Sequence, residues 1–131
     1  YKTDKCMAKG MELVQIIGTS DTTENIPYAA SGIEFSPDGK HLFVTNAGIN
    51  TAMIYDVDKE TGLLTKNCEN SLGGDYPKTV AVMPDNEHFI ALNNGGNEIC
   101  IFRMNYDKKY FLMDSKPIKI ERPNAIFIHE L

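Results

Sequence analysis

The sequence predicts an all-β fold made of recurring four-stranded antiparallel sheets, and three observations carry that expectation. A block of residues repeats at a fixed distance, short apolar runs alternate with turn chemistry, and no segment keeps a helical period for more than a turn. The repeat is clearest between Ser36-Pro37-Asp38-Gly39-Lys40-His41-Leu42-Phe43-Val44-Thr45-Asn46 and Met83-Pro84-Asp85-Asn86-Glu87-His88-Phe89-Ile90-Ala91-Leu92-Asn93, in which Pro, Asp, His and Asn recur 47 residues apart. It runs on without a gap through Gly48 and Gly95, Asn50 and Asn97, Ile54 and Ile101, and Tyr55 and Phe102.

Each repeat divides into strands by its turns. In the first, Ser31 to Phe35 is a short apolar run, and Pro37-Asp38-Gly39 turns the chain because Pro presets φ and Gly accepts a positive one. Strands follow over His41 to Asn46, Ala52 to Val57 and Leu63 to Asn67, with Ala47-Gly48-Ile49-Asn50 and the Gly-terminated Asp58-Lys59-Glu60-Thr61-Gly62 between them. The second repeat places strands at Thr79 to Met83, Glu87 to Asn93, Glu98 to Met104 and Tyr110 to Asp114. Four strands in a unit of 47 residues, with no helix between units, is the arithmetic of a β-propeller blade. The expected layout is therefore a blade over 31–67 and a blade over 79–114 within one propeller domain spanning 1–131. Met11 to Gly18 is expected as the outer strand of a preceding blade, and 125–130 as the closing inner strand of a following one. An inner strand alone makes no blade, so the expectation includes further blades, supplied by a longer polypeptide or by self-association, to cover the exposed blade faces. The start at Tyr1 instead of Met fits the same picture of a C-terminal portion.

Composition narrows the function classes. With 42% hydrophobic and 24% charged residues the chain is an ordinary folded domain, and a net charge of −5 without Lys/Arg runs argues against a nucleic-acid surface. No apolar stretch nears the roughly 18 residues of a membrane span. Cys6, Cys68 and Cys100 are odd in number and far apart, with no Cys/His cluster. Neither a disulfide framework nor a metal site is expected, and a reducing cytoplasm fits best.

Four segments carry a family resemblance. Ile33 to Gly48, the hairpin Thr61-Gly62-Leu63-Leu64, the segment Gly74-Asp75-Tyr76-Pro77-Lys78 and the ending Arg122-Pro123-Asn124-Ala125-Ile126-Phe127 resemble the last blades of the lactonase family. That family of seven-bladed propellers includes bacterial 6-phosphogluconolactonases and 3-carboxy-cis,cis-muconate cyclases. Trp is absent, against a WD-repeat protein. Three positions depart from the family pattern: Gly32 stands where many members have Glu, Ala47 follows Asn46 where many have Arg, and Pro77-Lys78 replaces a common Pro-Arg. Lys keeps the charge but loses the two-pronged grip of a guanidinium.

The resemblance implies attack of activated water on a lactone carbonyl, or the reverse cyclisation, with no cofactor. Either needs a general acid or base and a cation for developing oxyanion charge. Lys78, opening an inner strand, reads as that cation at the channel rim or as a solvated loop lysine. His129, on a face with Ala125 and Phe127, reads as a channel acid–base group or as a core histidine. Ser31, Asp75, Tyr76 and Asn124 lie beside inner-strand openings and read as substrate contacts or as loop chemistry. Asn46, with its repeat Asn93, reads as a substrate contact or as a turn residue tolerating left-handed angles. His41 and His88 are a whole blade apart and are expected to hold the turns before them. The expected function is a sugar-lactone hydrolase of the 6-phosphogluconolactonase type, acting on a small lactone or sugar acid and active only as the intact propeller. A non-catalytic scaffold of the same lineage and a carboxymuconate cyclase are the alternatives.

Overall fold

The computed structural model describes residues 2–3 and 11–129, and among them the secondary structure is all strand and turn. Strands β1 (Lys2–Thr3) and β2 (Met11–Glu12) pair as a small antiparallel ribbon. The first blade is β3 (Ala29–Phe35), β4 (His41–Ala47), β5 (Thr51–Val57) and β6 (Leu64–Ser71), paired in chain order and antiparallel throughout. The second is β7 (Pro77–Val82), β8 (His88–Asn93), β9 (Glu98–Asn105) and β10 (Tyr110–Met113), with β11 (Ile118–Lys119) extending the outer edge along β9.

Turn chemistry sets these boundaries, and it recurs residue by residue. Gly39 and Asn86, Asn50 and Asn97, and Gly62 and Lys109 are pairs 47 residues apart, and all six adopt positive φ. Gly takes that conformation freely and Asn tolerates it, which accounts for five of the six, while Lys109 adopts it where the first blade has Gly62. The carboxylate of Asp38 accepts from Ser36 Oγ and Lys40 N, and that of Asp85 accepts from Glu87 N and His88 N, which locks the first turn of each blade.

The blades stack face to face over one apolar core. Phe43, Ala52, Ile54, Cys68 and Leu72 of the first blade meet Val80, Phe89, Ala91, Cys100, Phe102 and Phe111 of the second. Phe89 is the hub, with ring centroids 5.1 Å from Phe43 and 5.0 Å from each of Phe102 and Phe111. Burial pushes the thiols of Cys68 and Cys100 up to about 11, with a further rise at Cys100 from the Glu98 carboxylate. Neither ionises near neutral pH, so both behave as small apolar groups. Polar bonds rim this core: Asp38 N donates to Asn86 Oδ1 at 2.9 Å, Asn67 Nδ2 to the Tyr106 carbonyl at 3.2 Å, and His41 stacks on Tyr106 at 3.7 Å.

Several expectations change. Met11 to Gly18 is not one strand: only Met11–Glu12 joins a ladder, and the residues after it lie against the other face of the first blade. There Ile17 packs with Leu42, Val44, Met53 and Tyr55, Tyr55 donates its hydroxyl to the Gly18 carbonyl at 2.7 Å, and the Gln15 amide bonds Leu64 N and O. That face is thus covered where it was expected bare. The outer strand of the first blade runs on to Ser71 because a bulge absorbs Asn67, with Ile54 opposite Cys68 and Tyr55 opposite Lys66. Ala125–His129 enters no ladder among the described residues, since a strand needs a bonded neighbour and none lies beside it here. Glu130, at the end of that expected strand, and Cys6 lie outside the described residues.

Candidate ligand site at the inner-strand openings

Both inner strands open with the same irregularity. In β3, Ala30 faces Asn46 and Gly32 faces Thr45, which leaves Ser31 unpaired. In β7, Pro77 faces Asn93 and Thr79 faces Leu92, which leaves Lys78 unpaired. Ser31 and Lys78 stand 47 residues apart, so the bulge belongs to the repeat. A bulge re-aims the extra residue, and Pro77, having no N–H, cannot carry a regular ladder at that point.

The linkers repeat as well. Leu72 N and Ile120 N donate to the carbonyls of Asn50 and Asn97 at 2.9 and 3.1 Å. Tyr76 N and Arg122 N donate to the side-chain oxygens of the same two residues, both at 3.0 Å, and Tyr76 and Arg122 both have positive φ. Pro123-Asn124 therefore follows its linker as Pro77-Lys78 follows its own. Ser31 and Lys78 sit at the openings of β3 and β7, and Asn124 at the equivalent point after the next linker.

These residues differ in availability. Lys78 is exposed, its ammonium lies 5.9 Å from the centre of the Tyr76 ring, and no carboxylate pairs with it among the described residues. Tyr76 is half-exposed, and Asp75 is exposed with one carboxylate oxygen accepting from Asn50 Nδ2 at 3.2 Å. A Cβ at Gly95 would come within 2.5 Å of the other Asp75 oxygen, so a glycine there lets the loops meet. Asn124 is exposed.

Ser31 is not free. Its hydroxyl lies 3.2 Å from the Thr45 carbonyl, 3.0 Å from Thr45 Oγ1 and 2.6 Å from the Pro77 carbonyl. Asn46 is fully buried and donates to the Thr19 carbonyl at 2.6 Å, so it tethers the N-terminal segment and presents nothing to solvent. Nor do Asn46 and Asn93 have left-handed backbones; they sit at strand ends in register, and the left-handed Asn residues are Asn50 and Asn97.

His129 lines a cavity of about 630 Å³ with Glu34 and Phe35 at the end of β3 and with the length of β7 from Thr79 to Val82. No hydrogen bond or ion pair joins Lys78 to His129 among the described residues, although the cavity that His129 lines reaches Thr79, the residue after Lys78. His88 holds its turn as expected, with Nδ1 2.7 Å from Asp85 Oδ2. His41 instead serves the blade contact on Tyr106; its Nδ1 is 3.0 Å from Asp56 but out of line for a hydrogen bond.

One residue escaped the sequence reading. Asn94 Nδ2 donates to the Pro123 carbonyl at 3.1 Å, so a side chain of the second blade grips the end of the linker that follows it. The only available signal is that Asn94 replaces Ala47 at the equivalent point of the repeat.

Comparison with known proteins places this geometry in a lineage. The 6-phosphogluconolactonase of Formosa agariphila is 32% identical over 78 residues, which is 58% of this chain and 22% of that protein. Muconate cycloisomerase 1 of Cutaneotrichosporon cutaneum is 30% identical over 105 residues, 79% of this chain and 28% of that protein. The periplasmic gluconolactonase of Pseudomonas aeruginosa superposes with a TM-score of 0.79 at 19% identity, over 86% of this chain and 31% of that one. The chain thus spans between about a fifth and a third of the length of these relatives. The profile of the lactonase family, described as a 7-bladed beta-propeller, matches residues 1–128, and with two blades joined face to face and their inner-strand bulges in register, the chain belongs to that family.

Proposed function

We propose that this chain contributes two adjacent blades to a sugar-lactone hydrolase of the 6-phosphogluconolactonase type, working as an intact ring. The observation that carries the reading is Lys78: a cation with no carboxylate partner among the described residues, set on a bulge beside Tyr76 where an inner strand opens. In such a reaction water adds to the lactone carbonyl, the ring C–O bond breaks, and a carboxylate and a hydroxyl result. Lys78 is suited to hold a phosphate or carboxylate of the substrate, or to stabilise the developing oxyanion. Asp75, Tyr76 and Asn124 flank it as substrate contacts. The group that activates water is assigned to blades beyond this stretch. Those blades, or a second copy of the chain, are also the proposed partners of Ile33, Phe35 and Phe127, which are large apolar residues left exposed. The odd number and wide spacing of the three cysteines favour the cytoplasm as the place of action.

One observation favours a second reading. Gly32 and Ala47 stand where many members of the family carry Glu and Arg, as in a scaffold that binds a sugar acid without turning it over. A lactonising cyclase is the third possibility, in keeping with the name of the Cutaneotrichosporon relative. Incubating the intact propeller with 6-phosphogluconolactone decides between them. The proposal expects hydrolysis well above the spontaneous rate. Saturable binding of 6-phosphogluconate without turnover would favour the scaffold, and ring closure of a carboxymuconate without lactone hydrolysis would favour the cyclase.

A further inference from the structure

We propose that Ser31 is a positioning residue for Lys78, acting through the carbonyl that precedes it; the inference rests on the reading of Lys78 as the anion-binding group. Ser31 has one proton to donate and three acceptors within reach, and the shortest contact, 2.6 Å, goes to the Pro77 carbonyl across the blade boundary. Thr45 Oγ1 then donates back to Ser31 Oγ, so the hydroxyl is oriented from within its own blade. Thr45 and Pro77 are both fully buried. Ser31 itself is half-buried, so the bond is shielded from water on its acceptor side by Thr45 and Pro77.

Pro77 makes the grip matter. It has no N–H, its φ is preset, and the residue after it is the extra one in the bulge, so its carbonyl is one of the two groups, with the Lys78 N–H, through which the neighbourhood fixes the Pro77–Lys78 peptide plane. That plane sets the direction in which the Lys78 side chain leaves the backbone. The next boundary repeats the device with other chemistry: Asn94 Nδ2 donates to the Pro123 carbonyl, which precedes Asn124. A hydroxyl in one blade and an amide in the next perform the same act on equivalent carbonyls. The shared feature is the grip on the residue before each presented side chain.

The test is a double-mutant cycle in the intact propeller, with 6-phosphogluconate as the probe. Ser31→Ala is expected to weaken binding about fivefold, the worth of one net hydrogen bond. In a Lys78→Ala background the same change is expected to cost nothing further, because the two residues act through one another. Hydrogen exchange at the Lys78 and Thr79 amides should quicken in Ser31→Ala while exchange in β9 stays unchanged. An equal loss of affinity in both backgrounds, or unaltered exchange at Lys78, overturns the positioning role. Should Lys78→Ala leave affinity unchanged, the anion-binding reading falls, and the exchange at the Lys78 amide still decides whether Ser31 holds the bulge. Asn94→Ala provides a second variant, expected to quicken exchange at Asn124 and not at Lys78; unaltered exchange at Asn124 counts against the shared device.

Discussion

Phe89→Ala is expected to lower the unfolding free energy by about 3–5 kcal/mol, the range for emptying a large aromatic site in a packed core. Phe89 is fully buried and touches three other rings, Phe43 from the first blade and Phe102 and Phe111 from its own. The first pair is tilted at 55° and the last meets edge to face at 86°, so the removal also loses oriented ring contacts. The surroundings cannot collapse into the space, because the walls are strands held in their own ladders on two different sheets. Denaturant unfolding of the intact propeller, followed by circular dichroism, measures the loss. A change below about 1 kcal/mol would mean that the two blades do not share this core.

Gly32→Glu is expected to cost about 3 kcal/mol and to reduce ligand affinity, although it would restore the residue type that many members of the family carry there. A Cβ at Gly32 would lie 2.8 Å from the Thr79 Cα and 3.2 Å from the Val80 nitrogen. Both are main-chain atoms of β7, so no side chain can swing aside, and the inner strand of the second blade has to move. Thr79 follows Lys78 directly, which couples the displacement to the site. Gly32→Ala carries the same clash without the added charge and should show a smaller loss of the same sign. Gly32 therefore has a packing reason of its own, and its place in the repeat is a point of close backbone approach. A Gly32→Glu variant with wild-type melting temperature and improved binding would show that the position is a vacated functional one.

Local chemistry explains what was legible in advance. Pro37-Asp38-Gly39 and Pro84-Asp85-Asn86 announce their turns because Asp bonds the amides just after it and the next residue accepts positive φ. The four-strand plan of each blade follows from such turns with edges wrong by a few residues. Contacts between distant segments left weaker traces. The chain at 13–21 holds to the first blade through bonds such as Gln15 to Leu64 and Ser20 to Glu69, 49 residues apart, which no periodicity reveals. Strand β11 was hidden because Asp114 to Pro117 interrupts the outer edge before it resumes.

The site was legible in part. Lys78 could be singled out because the family resemblance puts a cation after Pro at an inner-strand opening, and the recurrence of that opening at Ser31 was open to discovery from the 47-residue spacing. What spacing could not say is which polar residues are already committed. Ser31 and Asn46 look as available in sequence as Asn124 does, yet the first two are consumed by the Pro77 and Thr19 carbonyls. The misreading of Asn46 as a left-handed turn residue has a similar cause, since Asn50, four positions later, fills that role.

The most direct measurement compares kcat/KM for 6-phosphogluconolactone between the intact propeller and its Lys78→Ala and Lys78→Arg forms. Loss of the charge is expected to lower kcat/KM by about 10- to 100-fold, and Arg, with its paired donors, is expected to keep or improve the wild-type value. Equal values for Lys78→Ala and the unaltered protein, or no hydrolysis by any of the three, would contradict the role given to the inner-strand opening.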